Sequence, residues 1–91
     1  MKTIWKFRLD LKRVQIVQLP KKAEILKIEL LNERTFNLWA LVNPKVGEEN
    51  VQFKIFGTGF DIEENQELQY IDTLFEGGFV WHVFKDLSFK G

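Results

Sequence analysis

Apolar and polar residues alternate along most of this chain with a period of two. Trp5, Phe7, Leu9 and Leu11 fall on one parity, and Lys6, Arg8, Asp10 and Lys12 on the other. That is the pattern of a strand with one buried face. Arg13 to Leu19 is rich in Val and Ile and ends at Pro20-Lys21-Lys22, where proline withdraws a ladder donor and a turn is expected. Ala23 to Leu31 is ambiguous, because Ile25, Leu26, Ile28 and Leu30 fit either alternation or a short helical face; Lys27 and Glu29 between apolar residues favour a strand. Thr35 to Val42 carries Phe36, Leu38, Ala40 and Val42 on one face and Trp39 and Leu41 on the other, and forms a hairpin with the preceding stretch. Apolar residues on both parities predict a central strand covered on both faces, or one face used for association.

Asn43 to Asn50 combines Pro, Gly and Asn with an acidic pair and reads as an exposed, mobile loop. Val51, Phe53 and Ile55 resume the alternation until Phe56-Gly57-Thr58-Gly59-Phe60, where glycines interrupt it. Asp61 to Gln69 is polar and acidic, a loop with at most one helical turn. Tyr70 to Phe75 and Phe79 to Leu87 flank Glu76-Gly77-Gly78, a hairpin signal. The reading is a single domain over residues 1–91, all-β, a small antiparallel β-sandwich or barrel of six to seven strands with at most one short helix.

Composition narrows the function classes. Nine Phe and three Trp in 91 residues make the chain too apolar to stay unfolded. A core this small leaves a thin margin, and with no cysteine there is no disulfide to widen it. Self-association is the remaining supplement, so a homo-oligomer is expected. Thirteen basic residues balance thirteen acidic ones, whereas a dedicated nucleic-acid binder carries excess Lys and Arg; nucleic acid is not the expected partner. The amino terminus alternates apolar with basic residues, and no run approaches the ~20 apolar residues of a membrane helix. A soluble protein of a reducing cytoplasm, with no membrane partner, is expected.

Gly57-Thr58-Gly59 is the most suggestive local feature, since amides freed by glycine can cradle an anion and a threonine hydroxyl can add a bond. No Gly-Lys-Ser/Thr and no helix follow, so it is not a nucleotide loop of known type, and the plainer reading is a turn needing positive φ. A planar base at such a site would stack on Phe56, Phe60 or Trp81, with charge supplied by Arg8, Arg34 or Lys54. The candidate ligand site is therefore Phe56, Gly57, Thr58, Gly59, Arg34 and Trp81. His82 is the only histidine and Ser88 the only serine; neither has the surroundings of a catalytic base or nucleophile. Glu48-Glu49 and Asp61 to Glu64 lack the alternation of a calcium loop. No catalytic residue, cofactor or metal is expected. Three tryptophans exceed what so small a core hides easily, and Trp39, Phe56 and Trp81 or Phe84 are the aromatics expected to face a partner.

Leu19-Pro20 with Ala23-Glu24-Ile25-Leu26, Leu38 to Pro44 as Leu-Trp-Ala-Leu-Val-Asn-Pro, Phe56-Gly57-Thr58-Gly59 and Trp81-His82-Val83-Phe84 together span almost the whole chain. They resemble a family of small uncharacterised proteins of bacteriophages, prophages and bacteria. In that family's pattern glycine stands where Lys22 is here, aspartate where Asn43 is, and often histidine where Phe60 is. If that histidine matters to a site, the site is altered or absent in this chain. The resemblance implies a phage accessory protein and supplies no reaction. Two classes follow from it: a binding protein that counters host defence by sequestering a signalling nucleotide or blocking a host effector, and a small structural virion protein of tail, spike or decoration type.

Overall fold

The computed structural model describes residues 1–91. Every regular element in it is a strand: β1 (Thr3–Asp10), β2 (Val14–Pro20), β3 (Glu24–Asn32), β4 (Thr35–Val42), β5 (Glu48–Gly57), β6 (Leu68–Glu76) and β7 (Phe79–Asp86). They form two antiparallel sheets, ordered β1-β4-β3 and β2-β5-β7-β6, so the chain is an all-β sandwich of seven strands. No helix is long and apolar enough to cross a membrane.

The alternation read from the sequence sets the core. β4 turns Phe36, Leu38, Ala40 and Val42 inward, β5 turns Val51, Phe53 and Ile55 inward, and β1, β2 and β7 add Leu9, Leu19 and Val83 to the same buried cluster. Cutting Phe36 or Phe53 back to alanine costs ~3–5 kcal/mol, which is of the order of the whole stability of a small domain.

β3 is a strand, and its irregularity accounts for the helical look of its sequence. The pairing with β4 slips between Ile25 and Lys27 and again between Leu30 and Asn32. The first bulge throws Leu26 outward and lets Ile25 and Ile28, three apart, both face the core opposite Ala40 and Leu38.

Strand boundaries differ from the sequence reading at two polar stretches. Leu68 and Gln69, expected in the loop from Asp61, open β6 opposite Asp86 and Lys85. Glu48, Glu49 and Asn50 belong to β5 rather than to a loop, paired with Pro20, Leu19 and Gln18. Backbone pairing with β2 holds them extended although their side chains are exposed. The β6–β7 turn follows the Gly-Gly signal, with Gly77 at φ 57° and Gly78 at φ 86°, the doubly left-handed form that suits a two-residue hairpin.

Two polar contacts tie the sheets together at their edges. Ile28 N–H of β3 donates to Asp72 Oδ2 of β6 at 3.2 Å. At the β1–β2 corner, Asp10 N–H donates to Gln15 Oε1 at 2.9 Å and Gln15 Nε2 donates back to Asp10 C=O.

β5 and β6 both pair antiparallel with β7, so the segment Thr58 to Glu67 must return along the length of β7. It is held there by Lys54 Nζ donating to Gln66 Oε1 at 2.7 Å and Leu87 N–H donating to Glu67 C=O at 2.8 Å. Phe56, on the side of the sheet facing this crossover, is only 7% exposed and has Phe84 edge-on at 5.7 Å. It therefore does not face a partner as expected. Trp39, Trp81 and Phe84 are half-buried, and the exposed aromatics are Trp5, Phe60, Tyr70, Phe75 and Phe79.

Candidate functional site

The bend between β1 and β2 is fixed from both sheets. Leu11 N–H donates to Arg34 C=O at 2.8 Å, and Ile55 N–H donates to Arg13 C=O at 3.0 Å. These bonds bring Lys12 and Arg13, from the bend, to the same end of the sandwich as Arg34, from the β3–β4 turn. Facing them are Phe60 from the crossover and Glu76, Phe79 and Trp81 from the tip of the β6–β7 hairpin. Together with Leu11 and Ile55 these residues line a cavity of about 340 Å³.

The aromatic side of the cavity is ordered by ring contacts. Phe60 meets Trp81 edge-on, centroids 6.1 Å apart at 87°, and Phe79 lies 6.0 Å from Trp81 at 37°. Arg13 places its guanidinium carbon 6.0 Å from the Phe60 centroid, within reach of a cation–π attraction. The same three rings form a wall of a second cavity of about 360 Å³ that also touches Gly57, Thr58, Gly78 and Val80. The Trp81 indole N–H is buried without a partner, an uncommon state for a buried donor.

The charges here are uncommitted. The one ion pair in the chain is Lys54 with Asp86, at 3.4 Å, and the side chains of Arg13 and Arg34 make no hydrogen bond within the protein. Three cations against the single carboxylate of Glu76 give the cavity lining a positive balance in a chain whose net charge is zero. Asp86 lies elsewhere. Ser88, which donates from its hydroxyl at 2.7 Å and from its amide at 2.9 Å, and Lys54 hold its carboxyl below the ordinary carboxylate range against the opposing effect of burial.

Of the residues expected at a site, Arg34 and Trp81 line the cationic cavity, and Gly57 and Thr58 line its neighbour. Gly59 does not: nothing lies within 4 Å of where its Cβ would be, and its φ of 92° marks it as a turn former. Gly57 has no positive φ; it is an ordinary strand position, opposite Trp81. Phe56 points to the other side of the sheet. The amide of Thr58 donates to Val80 C=O at 3.1 Å and that of Phe60 to Gly57 C=O at 3.0 Å, so these two amides are taken up by the turn. Arg8 sits on the outer face of β1 opposite Asn37, and Lys54 is bound to Asp86 and Gln66.

Lys12 and Arg13 were not singled out by sequence reasoning. The available signal was the break in alternation between Leu11 and Val14, where two consecutive cations mark a corner between sheets. Phe60, considered only as a stacking partner, proves central, since it lines both cavities.

His82 lines neither cavity. Its Nε2 lies 2.8 Å from Thr58 Oγ1 and its Nδ1 3.1 Å from Thr73 Oγ1, which in turn lies 2.6 Å from Tyr70 OH. The histidine thus anchors the start of the crossover that carries Phe60.

No curated protein and no solved structure matches the chain. The family described as Domain of unknown function (DUF7352) matches residues 1–90. That match takes in all seven strands and every residue of the end cavity, and the chain belongs to the DUF7352 family.

Proposed function

We propose that this chain is a non-enzymatic binding protein of phage or prophage origin. In this reading it acts in the cytoplasm of the bacterial host, as an anti-defence protein that sequesters a signalling nucleotide in the end cavity. The observation that carries the reading is the meeting of three unpaired cations, Lys12, Arg13 and Arg34, with three aromatic rings, Phe60, Phe79 and Trp81, around one cavity. A phosphate needs several N–H donors, and arginine offers them in a fixed fork. A planar base needs an aromatic face, and stacking is worth about 1–3 kcal/mol per base. The unpaired indole of Trp81 gives that ring something to gain from rearranging around a ligand. A cavity of about 340 Å³ suits one small molecule.

The polar groups of the cavity support binding over catalysis, since they are three cations and Glu76, with no nucleophile beside a base. Occupying a host effector is the variant of this reading in which the exposed hairpin tip, with Phe75 71% and Phe79 64% exposed, makes the contact. A structural virion role calls for an exposed apolar face without a cationic cavity, and the three cations favour the first reading.

The test is a thermal-shift screen with cyclic dinucleotides and ADP-ribose derivatives. A ligand at a hundred times its Kd adds about 2.7 kcal/mol to stability. Calorimetry with the best ligand should then show Arg13→Ala and Arg34→Ala each losing roughly tenfold or more in affinity, as expected for charge-assisted bonds. No shift with any of these nucleotides, or unchanged affinity in both folded variants, overturns the proposal.

A further inference from the structure

Two sheets that do not close into a barrel leave four strand edges, and an unpaired edge recruits another strand unless something blocks it. Three of the four are blocked. β3 carries two bulges, and its Ile28 amide is taken by Asp72. β6 has its own register break between Tyr70 and Asp72 and supplies that same Asp72. β1 presents Lys6 and Arg8 along its outer face.

β2 has none of these devices. From Val14 to Pro20 it reads Val-Gln-Ile-Val-Gln-Leu-Pro, with no charge, no bulge against β5 and proline only at its last position. The bond from Ile55 N–H to Arg13 C=O sets the phase of the β2–β5 ladder. In that phase Gln15, Val17 and Leu19 turn their backbone groups toward β5, and Val14, Ile16 and Gln18 turn theirs to the free edge. Val14 and Ile16 also stay 50% and 53% exposed on the outer face.

We infer that the free edge of β2 binds a second copy of this chain, giving an antiparallel dimer whose four-stranded sheets join into one continuous sheet. A twofold axis at Ile16 lets every outward-turned backbone group find a partner. Val14 pairs with the partner's Gln18, Ile16 with the partner's Ile16, and Gln18 with the partner's Val14. The edge is self-complementary because it is neutral: no like charges meet along the paired stretch, and Val14 and Ile16 gain apolar neighbours across the joint.

The experiment is sedimentation velocity on the whole chain at tens of micromolar, with circular dichroism confirming that each variant keeps its strands. The wild type should sediment as a dimer. Ile16→Lys, which sets two ammonium groups against each other on the axis, should sediment as a monomer. Because Val14 faces the partner's Gln18, the pair Val14→Lys with Gln18→Glu should remain a dimer and the pair Val14→Lys with Gln18→Lys should not. These side chains point to solvent within one copy, so folding is spared. A monomeric wild type, a dimer that survives Ile16→Lys, or equal behaviour of the two double variants overturns the proposal.

Discussion

The ring of Phe60 occupies the space that a side chain on Gly57 would need. A Cβ on Gly57 would stand 2.9 Å from Phe60 Cε1 and 3.1 Å from Trp81 Cζ3. Glycine here serves close approach rather than backbone bending, because its φ is not positive. The absent side chain is what lets the crossover fold Phe60 back under β5 and edge-on to Trp81.

Gly57→Ala should therefore displace the Phe60 ring and cost about 1–3 kcal/mol, the usual range for overpacking. Combining it with Phe60→Ala should cost less than the sum of the two single changes, since the closest clash disappears with the Phe60 ring and only the Trp81 contact is left. Urea denaturation of the four proteins measures this. Strict additivity would show that the ring and the glycine do not share that space.

Lys22 offers a change in the opposite direction. It is the one residue other than glycine with positive φ, at 62°, and it sits third in the turn that Ala23 N–H closes on Pro20 C=O at 3.2 Å. The left-handed conformation costs an ordinary residue about 1–2 kcal/mol, and the extra freedom of unfolded glycine offsets about 0.5–1 of that. Lys22→Gly should raise the thermal midpoint by a few degrees, whereas Lys21→Gly should lower it or leave it unchanged.

Much of this fold was legible because burial in a sandwich follows strand parity, and parity is printed in the sequence. Phe36, Leu38, Ala40 and Val42 could be placed in the core from their spacing alone. Ile25 and Ile28 could not, because a bulge is set by pairing with β4 and leaves only a spacing of three, which also looks helical. The end cavity was partly legible. Arg34 as a source of charge for an anion and Trp81 as a ring for a planar base are readable as residue types, and the fold brings both to the cavity. Phe56 is not a member because parity places it on the opposite side from Trp81, and Gly57 reads as a turn former because a strand glycine beside a ring looks the same in sequence as a glycine in a turn.

Asp86 predicts a pH dependence. Its carboxyl is held below the ordinary range chiefly by the Ser88 hydroxyl, with the Ser88 amide and Lys54 adding to this. A depressed folded-state value means that the contribution is fully present above the unfolded carboxylate range and is lost as pH falls through the folded value. Asp86→Asn should lower the thermal midpoint at neutral pH, and the two melting curves should converge as the pH is taken below 4, about the unfolded carboxylate value. A gap that persists unchanged in acid would trace the loss to packing instead.

The last prediction concerns the tether that positions Phe60. Thr58 Oγ1 lies 2.8 Å from His82 Nε2, at the point where the chain leaves β5, and His82 is itself held through Thr73. Thr58 is two residues before Phe60, so losing the hydroxyl should free the first turn of the crossover without touching the cavity's cations. Thr58→Val should cost about 0.5–1.5 kcal/mol in stability for the lost bond while leaving the backbone bond from Thr58 N–H to Val80 C=O intact. Its separate signature is at Trp81. If the tether sets the edge-on contact of Phe60 with Trp81, then indole fluorescence in a chain carrying Trp5→Phe and Trp39→Phe should shift on adding Thr58→Val, as it should with Phe60→Leu. A stability loss with unaltered Trp81 emission would show that Thr58 stabilises the turn alone and that the Phe60 ring is held in place by Gly57 and Arg13 without it.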